Sequence, residues 1–401
     1  MSSSTTSSKY PPEFWILFLT VFAAMLGLGI IGPLMPLFAS RLGAAGIALG
    51  FVFSGFSLSR TITMPIVGYQ SDKRGRKQFL VMGLVLYALI SIGYLFTHHI
   101  IELIWLRLLH GMASAMVIPI AMAYAGELAR KGQEGEMMGT FSIATMTGLG
   151  IGPLLGGVLT DWFGEPAAFL GLTFLAGIAA VLAYIFLPEK NAIQSRKKQL
   201  SFKENLNQVL QSRQMMGVLW FRFVMTLARG TIISFFPLYA AAKGQSLSNI
   251  GILLSTNMLL MSFLQKPFGK ASDHFQKRVP FIVAGMVLAA LSLVLIPFFH
   301  SFTQLFVLNL IMGLGGALAF PAAVALVVEF GRGIGMGSAM GYFNMALSTG
   351  MIFAPILSGI IYDVWNMEAI FYINGGIIFG GIGIFGYLIR NQKVRTGRTV
   401  R

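Results

Sequence analysis

Long apolar runs recur along this chain, each close to the ~20 residues a helix needs to cross a hydrocarbon core, with short polar clusters between them. Twelve such runs predict twelve membrane helices: 14–38, 47–67, 78–97, 102–126, 138–160, 167–187, 214–240, 248–268, 279–298, 303–328, 336–361 and 368–389. Polar sequence is confined to three places besides the short turns. These are a Ser-rich start (1–13), a segment between runs six and seven (188–213) and a basic end (390–401). The start lacks the charged opening, short apolar core and small-residue cleavage site of a secretory signal, so run one is expected to be retained. Within the middle segment, SFKENLNQVLQS predicts a helix lying on the membrane surface, because Phe202, Leu206, Val209 and Leu210 share one face.

The chain is also written twice. Pro36, Gly43, Gly50 and Asp72 recur 201 positions later as Pro237, Gly244, Gly251 and Asp273. Farther on the offset is 202: Gly111, Pro119, Glu127, Gly139, Pro153 and Asp161 return as Gly313, Pro321, Glu329, Gly341, Pro355 and Asp363. Tandem apolar copies predict an all-α membrane protein of twelve transmembrane helices in two pseudo-symmetric six-helix bundles, 14–187 and 214–389, joined by a linker at 188–213. That architecture belongs to carriers of small molecules.

Composition agrees with lipid as the surroundings. With 56% hydrophobic and 11% charged residues there is too little polar surface to cover a soluble globule of 401 residues. Charge then sets the orientation. Of the 29 Lys and Arg residues, Arg41 and Lys243 fall on one side, Arg60, Arg107, Arg222 and Arg229 fall within spans, and all the others fall on the side of the termini. The positive-inside rule therefore predicts a multi-pass protein of the cell (inner) membrane with both termini cytoplasmic. It also accounts for most of the net charge of +15 without a nucleic-acid partner. There is no cysteine, which excludes disulfides, cysteine ligands and thiol catalysis.

After run two the chain reads GYQSDKRGRK, with Gly68, Asp72, Lys73, Gly75, Arg76 and Lys77 at fixed spacing. Glycines permit a tight reversal, and an acid among cations offers ion pairs that break and re-form as helices slide. Span five carries GLGIGPLLGG, in which Gly148, Gly152 and Gly156 lie on one face, Pro153 bends the helix and Gly157 follows. Span four has Arg107 four residues before Gly111, and span one has Gly29, Pro33 and Pro36. The loop resembles the signature loop of the major facilitator superfamily, and the other motifs resemble those of its twelve-helix drug and proton antiporters. The resemblance implies that Asp72 sits near the start of a helix from the other half. It also implies that Arg76 pairs with Glu127 at the cytoplasmic end of span four, forming a latch on the outward-open state. The second-copy loop keeps Gly269, Asp273, Lys277 and Arg278 but lacks the second Gly, which weakens its gating reading.

An ionisable group at membrane depth costs about 2.5–3.5 kcal/mol, so it usually faces a cavity and serves function. Arg222 and Arg229 are seven residues apart on span seven, hence on one face and about 10 Å apart. No Asp or Glu is expected near a span centre. A cavity lined by Arg60, Arg222 and Arg229 would suit anionic, zwitterionic or acid-headed amphiphilic cargo; the alternative is that these arginines snorkel or bond helix carbonyls. Asn257, Asn344 and Gln265 are further candidates, for cargo or for linking helices, and Phe235 and Phe236 for an adaptable apolar wall. His110 and Glu127 are the proton-coupling candidates; against His110, a neighbouring Arg107 disfavours its charged form. Arg107 itself is expected to organise span four. His98 and His99 lack a third ligand for a metal.

These readings converge on a monomeric secondary transporter of the efflux and multidrug-resistance type, not an enzyme. It would export an amphipathic organic compound by alternating access in exchange for protons, without a cofactor. The alternatives are proton- or sodium-coupled uptake of an organic anion or sugar and, from another class, a membrane receptor or intramembrane enzyme. The chain shows no nucleotide-binding loop for ATP, and no nucleophile with a base at matching depth.

Overall fold

The computed structural model describes residues 10–128, 134–189, 208–275, 278–331 and 336–390. Most of the 1–13, 188–213 and 390–401 segments lies outside them, as do Lys277 and the Phe202 and Leu206 positions of the expected surface helix. Of its other two apolar positions, Val209 is buried and Leu210 is exposed.

Among the described residues twelve helices are long and apolar enough to cross a membrane, and none forms a strand. Span one is Pro12–Ile30, continued by a short helix Leu34–Arg41. Spans two to six are Gly46–Arg74, Arg76–Leu95, Ile100–Leu128, Glu134–Phe163 and Glu165–Phe186. Spans seven to twelve are Arg213–Ala242, Leu247–Phe275, Arg278–Leu295 with a 3-10 turn Ile296–Phe298, Phe302–Gly331, Met336–Val364 and Met367–Ile389. The break in span one falls at Ile31, Gly32 and Pro33, where proline supplies no N–H to the helix ladder. Spans two and eight run seven residues past the apolar stretches that predict them, to Arg74 and Phe275. Apolarity ends where lipid ends, but helical hydrogen bonding continues into water. The signature segment is therefore not an open loop: Gly68 to Arg74 is helix, and the reversal is made at Gly75 alone, at φ +98°.

Each half repeats one packing scheme. Span one lies against five and six, two against four, and three against four and six; spans seven to twelve pair in the same order. Buried apolar residues form two cores, one mainly in each half, and the first also takes in Phe235, Ile361 and Ile370. The halves meet through two pseudo-equivalent helix pairs, span two on eleven and span five on eight. Small residues let these backbones touch. A Cβ on Gly50 would meet the Pro355 carbonyl, and one on its repeat mate Gly251 would meet that of Pro153. Ser54 Oγ donates to the Ile352 carbonyl at 2.6 Å, and the Leu154 N–H donates to Ser255 Oγ at 2.9 Å.

All of these contacts lie in the part of the bundle away from the chain termini, called here the far side. On the termini side the surroundings of Gly68, Gly139 and Gly341 are open, and Tyr69 and Phe275 are exposed. The contacts between the halves thus gather at the far side, and the termini-side ends of spans two, five and eleven stand open.

Candidate functional site

A cavity at mid-depth is walled mainly by spans seven, eight and ten of the second half and meets the first half at Met146 and Leu149 of span five. Arg222, Thr226 and Arg229 project into it from one face of span seven, and Asn257 and Gln265 from span eight. Among the described residues no Asp or Glu lines it. Two guanidinium groups thus face a largely apolar space without a counter-charge, an arrangement that favours an anion entering from water. Arg222 is held between the rings of Phe320 and Phe343, its Cζ 4.7 and 4.8 Å from their centroids, and its Nε has no hydrogen-bond partner. Stacking fixes the guanidinium plane while leaving donors free. Met146, Met225, Met258, Met261 and Met312 contribute to the apolar wall, and thioether side chains adapt to varied shapes. Asn257 faces the cavity and also donates from Nδ2 to the Asn309 carbonyl at 3.1 Å, so it links span eight to ten.

Four candidates fall elsewhere. Phe235 and Phe236 are fully buried in packing, Phe235 against Tyr362 and Phe236 within the second-half core, so neither belongs to the cavity wall. Helical rotation explains it: Ile232 and Ile233 take the cavity-facing positions at that level. Asn344 is exposed on the termini-side third of span eleven, outside the wall. Arg60 lies in the first half, away from the cavity, and its Nε is buried without a hydrogen-bond partner.

Arg107 and His110 sit inside the first half. Arg107 Nε donates to the Val52 carbonyl at 3.1 Å and its guanidinium covers Phe56 at 4.5 Å, so it ties span four to span two. A Cβ on Gly111 would meet the Phe56 carbonyl, which explains the glycine one turn later. His110 is fully buried, its Nδ1 2.9 Å from the Tyr94 hydroxyl and its ring edge-on to Phe56 and Tyr87. His98 and His99 use their backbone N–H groups to cap span four on Glu102 at 2.9 and 3.2 Å.

At the termini side Arg76 bridges two acids, Glu127 at 2.6 Å and Asp72 at 2.8 Å. Asp72 is 59% exposed, and among the described residues its ion pair is with Arg76 of its own half. The second copy builds the same bridge: Arg278 contacts Glu329 at 2.5 Å and Asp273 at 3.4 Å. The missing second glycine hides this equivalence in the sequence, but Arg278 and Glu329 each follow their first-copy mates by 202 residues.

Span five has two working faces. Gly148, Gly152 and Gly156 face span one, where a Cβ would strike the Phe22 carbonyl, Gly29 and the Ile30 carbonyl. Gly150 and Gly157 face span eight in the other half, against Leu259 and the Leu247 carbonyl. Gly29, from the span-one motif, is the backbone partner of Gly152.

Comparison with known proteins agrees with this architecture. The sequence profile of the Major Facilitator Superfamily matches residues 17–241 and 218–400, which together span nearly the whole chain. An uncharacterized MFS-type transporter of Methanocaldococcus jannaschii is 29% identical over 92% of this chain and 98% of its own length. Multidrug resistance protein 2 of Bacillus subtilis is 27% identical over 92% of this chain and 94% of its own. Among solved structures, the nucleoside transporter NupG superposes with a TM-score of 0.79 at 14% identity, over 94% of this chain and 99% of that one. The fold and the relatives are those of transporters and not of enzymes, and they include multidrug efflux proteins. This twelve-span, twofold-repeated membrane protein belongs to the major facilitator superfamily.

Proposed function

We propose that the protein exports an amphipathic organic compound with an acidic group, by alternating access and in exchange for protons. The observation that carries this reading is the cavity: two arginines, a methionine-rich wall and no carboxylate. A cationic drug would meet two like charges there, whereas a carboxylate or sulfonate would gain charge-assisted hydrogen bonds. Export as the direction is supported by the relatives named for multidrug resistance and by the span-five glycine motif. With the positive-inside orientation the termini side is cytoplasmic, and the conformation described is inward-open. The test is transport in sealed proteoliposomes: an imposed pH gradient drives an anionic amphiphile against its concentration. Uptake down a sodium gradient with no response to pH would overturn the direction and the coupling.

On this reading the Arg76 bridge is a resting form of the latch. When the halves close at the termini side, Asp72 reaches the other half. Asp72→Asn is expected to lower turnover about tenfold or more while cargo affinity and melting temperature stay close to those of the parent, because an exposed ion pair contributes only about 0–1 kcal/mol to folding. Normal turnover in that variant would refute the latch.

Of the two proton candidates, Glu127 has the supporting geometry. Its carboxylate is 18% exposed at the open end and bonded to Arg76, so protonation would leave the arginine held by Asp72 alone. His110 is enclosed by three rings and has no acid partner among the described residues. Glu127→Gln is expected to abolish dependence on the pH gradient, and His110→Gln to retain it. The reverse pattern would move the proton site to span four's interior.

A further inference from the structure

Asp161 and Asp363 are repeat mates, 202 residues apart, and the latch and cavity make no use of them. Each lies in the last turn of its own helix, span five and span eleven. That is the wrong end for an acid, since the helix dipole there is negative. Such a local conflict, written twice at one repeat position, calls for a compensating partner.

The partner is the same in both copies: the start of a helix from the other half. Asp161 Oδ1 accepts from the Leu247 N–H at 3.2 Å and Oδ2 from the Ser248 N–H at 2.7 Å, at the first turn of span eight. Asp363 Oδ2 accepts from the Ile47 N–H at 2.9 Å, at the first turn of span two. Each carboxylate satisfies orphan donors at a helix N-terminus and meets the positive end of that dipole. Glycines make room for the approach. A Cβ on Gly46 would overlap the Asp363 carboxylate, and Gly157 and Gly359 lie on the backbone carbonyls of Leu247 and Gly46.

We propose that Asp161 and Asp363 are a paired far-side gate: two carboxylates, each capping a helix of the opposite half, hold the halves together in this conformation and let go when the far side opens. The span-two cap has one backbone bond and the span-eight cap has two, so Asp161 holds more strongly. The termini-side latch, Asp72 and Arg76 with their second-copy mates, would then be the counterpart that works when the far-side caps are released. The gate rests on the alternating-access reading and is independent of which cargo is carried.

Because the chain has no cysteine, spin labels can be placed without background. Ser40→Cys with Ala242→Cys puts two exposed labels on the far side of opposite halves, and Gln78→Cys with His274→Cys does the same on the termini side. Pulsed-EPR distances on the full-length protein in lipid nanodiscs then report the populations of both ends. Asp161→Asn is expected to raise the far-side-open population about tenfold, the scale of losing hydrogen bonds to a charged group, and Asp363→Asn somewhat less. Leu247→Pro removes one donor, keeps the carboxylate and is tolerated at a first helical position, so it should reproduce part of the Asp161 shift even where an Asp variant folds poorly. An unchanged far-side distance in all three variants overturns the gate. The rocking itself is judged separately: it fails if the parent never shows one distance pair lengthening while the other shortens.

Discussion

Arg229→Ala is expected to lower the affinity for an anionic amphiphile about ten- to a hundredfold, equivalent to about 1.5–3 kcal/mol for hydrogen bonds to a charged group. A neutral analogue of the same size should bind within about twofold of the parent protein. The asymmetry is the diagnostic part. Arg229 faces the cavity near the middle of span seven with no acid among its described lining residues, and on the proposed function cargo supplies the counter-charge. Its first-copy mate is the apolar Leu28, which removes any general requirement of the repeat for an arginine at that position. Arg222→Ala should combine the same affinity loss with a lower melting temperature, because its guanidinium also fills the slot between Phe320 and Phe343. Arg222→Lys keeps a cation without the planar stack and should retain part of the affinity. Isothermal titration with the charged and neutral analogues separates these outcomes. Equal losses for both analogues at Arg229 would mean that the cavity does not select on charge.

The second large effect comes from two neighbouring glycines with different partners. Gly156→Val is expected to destabilise the first half by about 1–3 kcal/mol or more, the scale of overpacking, because its Cβ would collide with the Ile30 carbonyl inside that half. Gly157→Val should leave the melting temperature much closer to that of the parent and abolish transport, because its Cβ falls on the Leu247 carbonyl across the interface. The halves would still fold but could not close at the far side. Gly359→Val, at the equivalent position in the second copy, should behave like Gly157→Val. Thermal melting in detergent and counterflow in liposomes give the two readouts. Equal stability and activity for the two neighbours would remove the distinction between a packing face and a moving face.

Much of this architecture is legible in the sequence, because lipid imposes simple rules. Apolar length marks the spans, and the 201- and 202-residue offsets mark the two halves. The ends of spans two and eight are not legible in that way, since a helix continues into water without any apolar signal. The span-five glycines predict close packing, but periodicity does not show that Gly157 and Gly156 serve different halves. Arg222 and Arg229 are identified by the cost of a charge at that depth. Phe235 and Phe236 are not separable from packing residues by any such cost, because an aromatic ring is stable in core and cavity alike. The aromatic slot around Arg222 joins Phe320 and Phe343 from spans ten and eleven, and no local pattern brings them together. Asp161 and Asp363 were available as repeat mates; what gives them meaning is the helix start that each one faces.

The most direct test of the charge-selective cavity is transport by the reconstituted parent protein of two amphiphiles matched in size and apolar surface, one bearing a carboxylate and the other a quaternary ammonium. The cavity predicts saturable, gradient-driven movement of the carboxylate, competition by other organic anions and no specific movement of the ammonium compound. Equal or faster transport of the cation would contradict it.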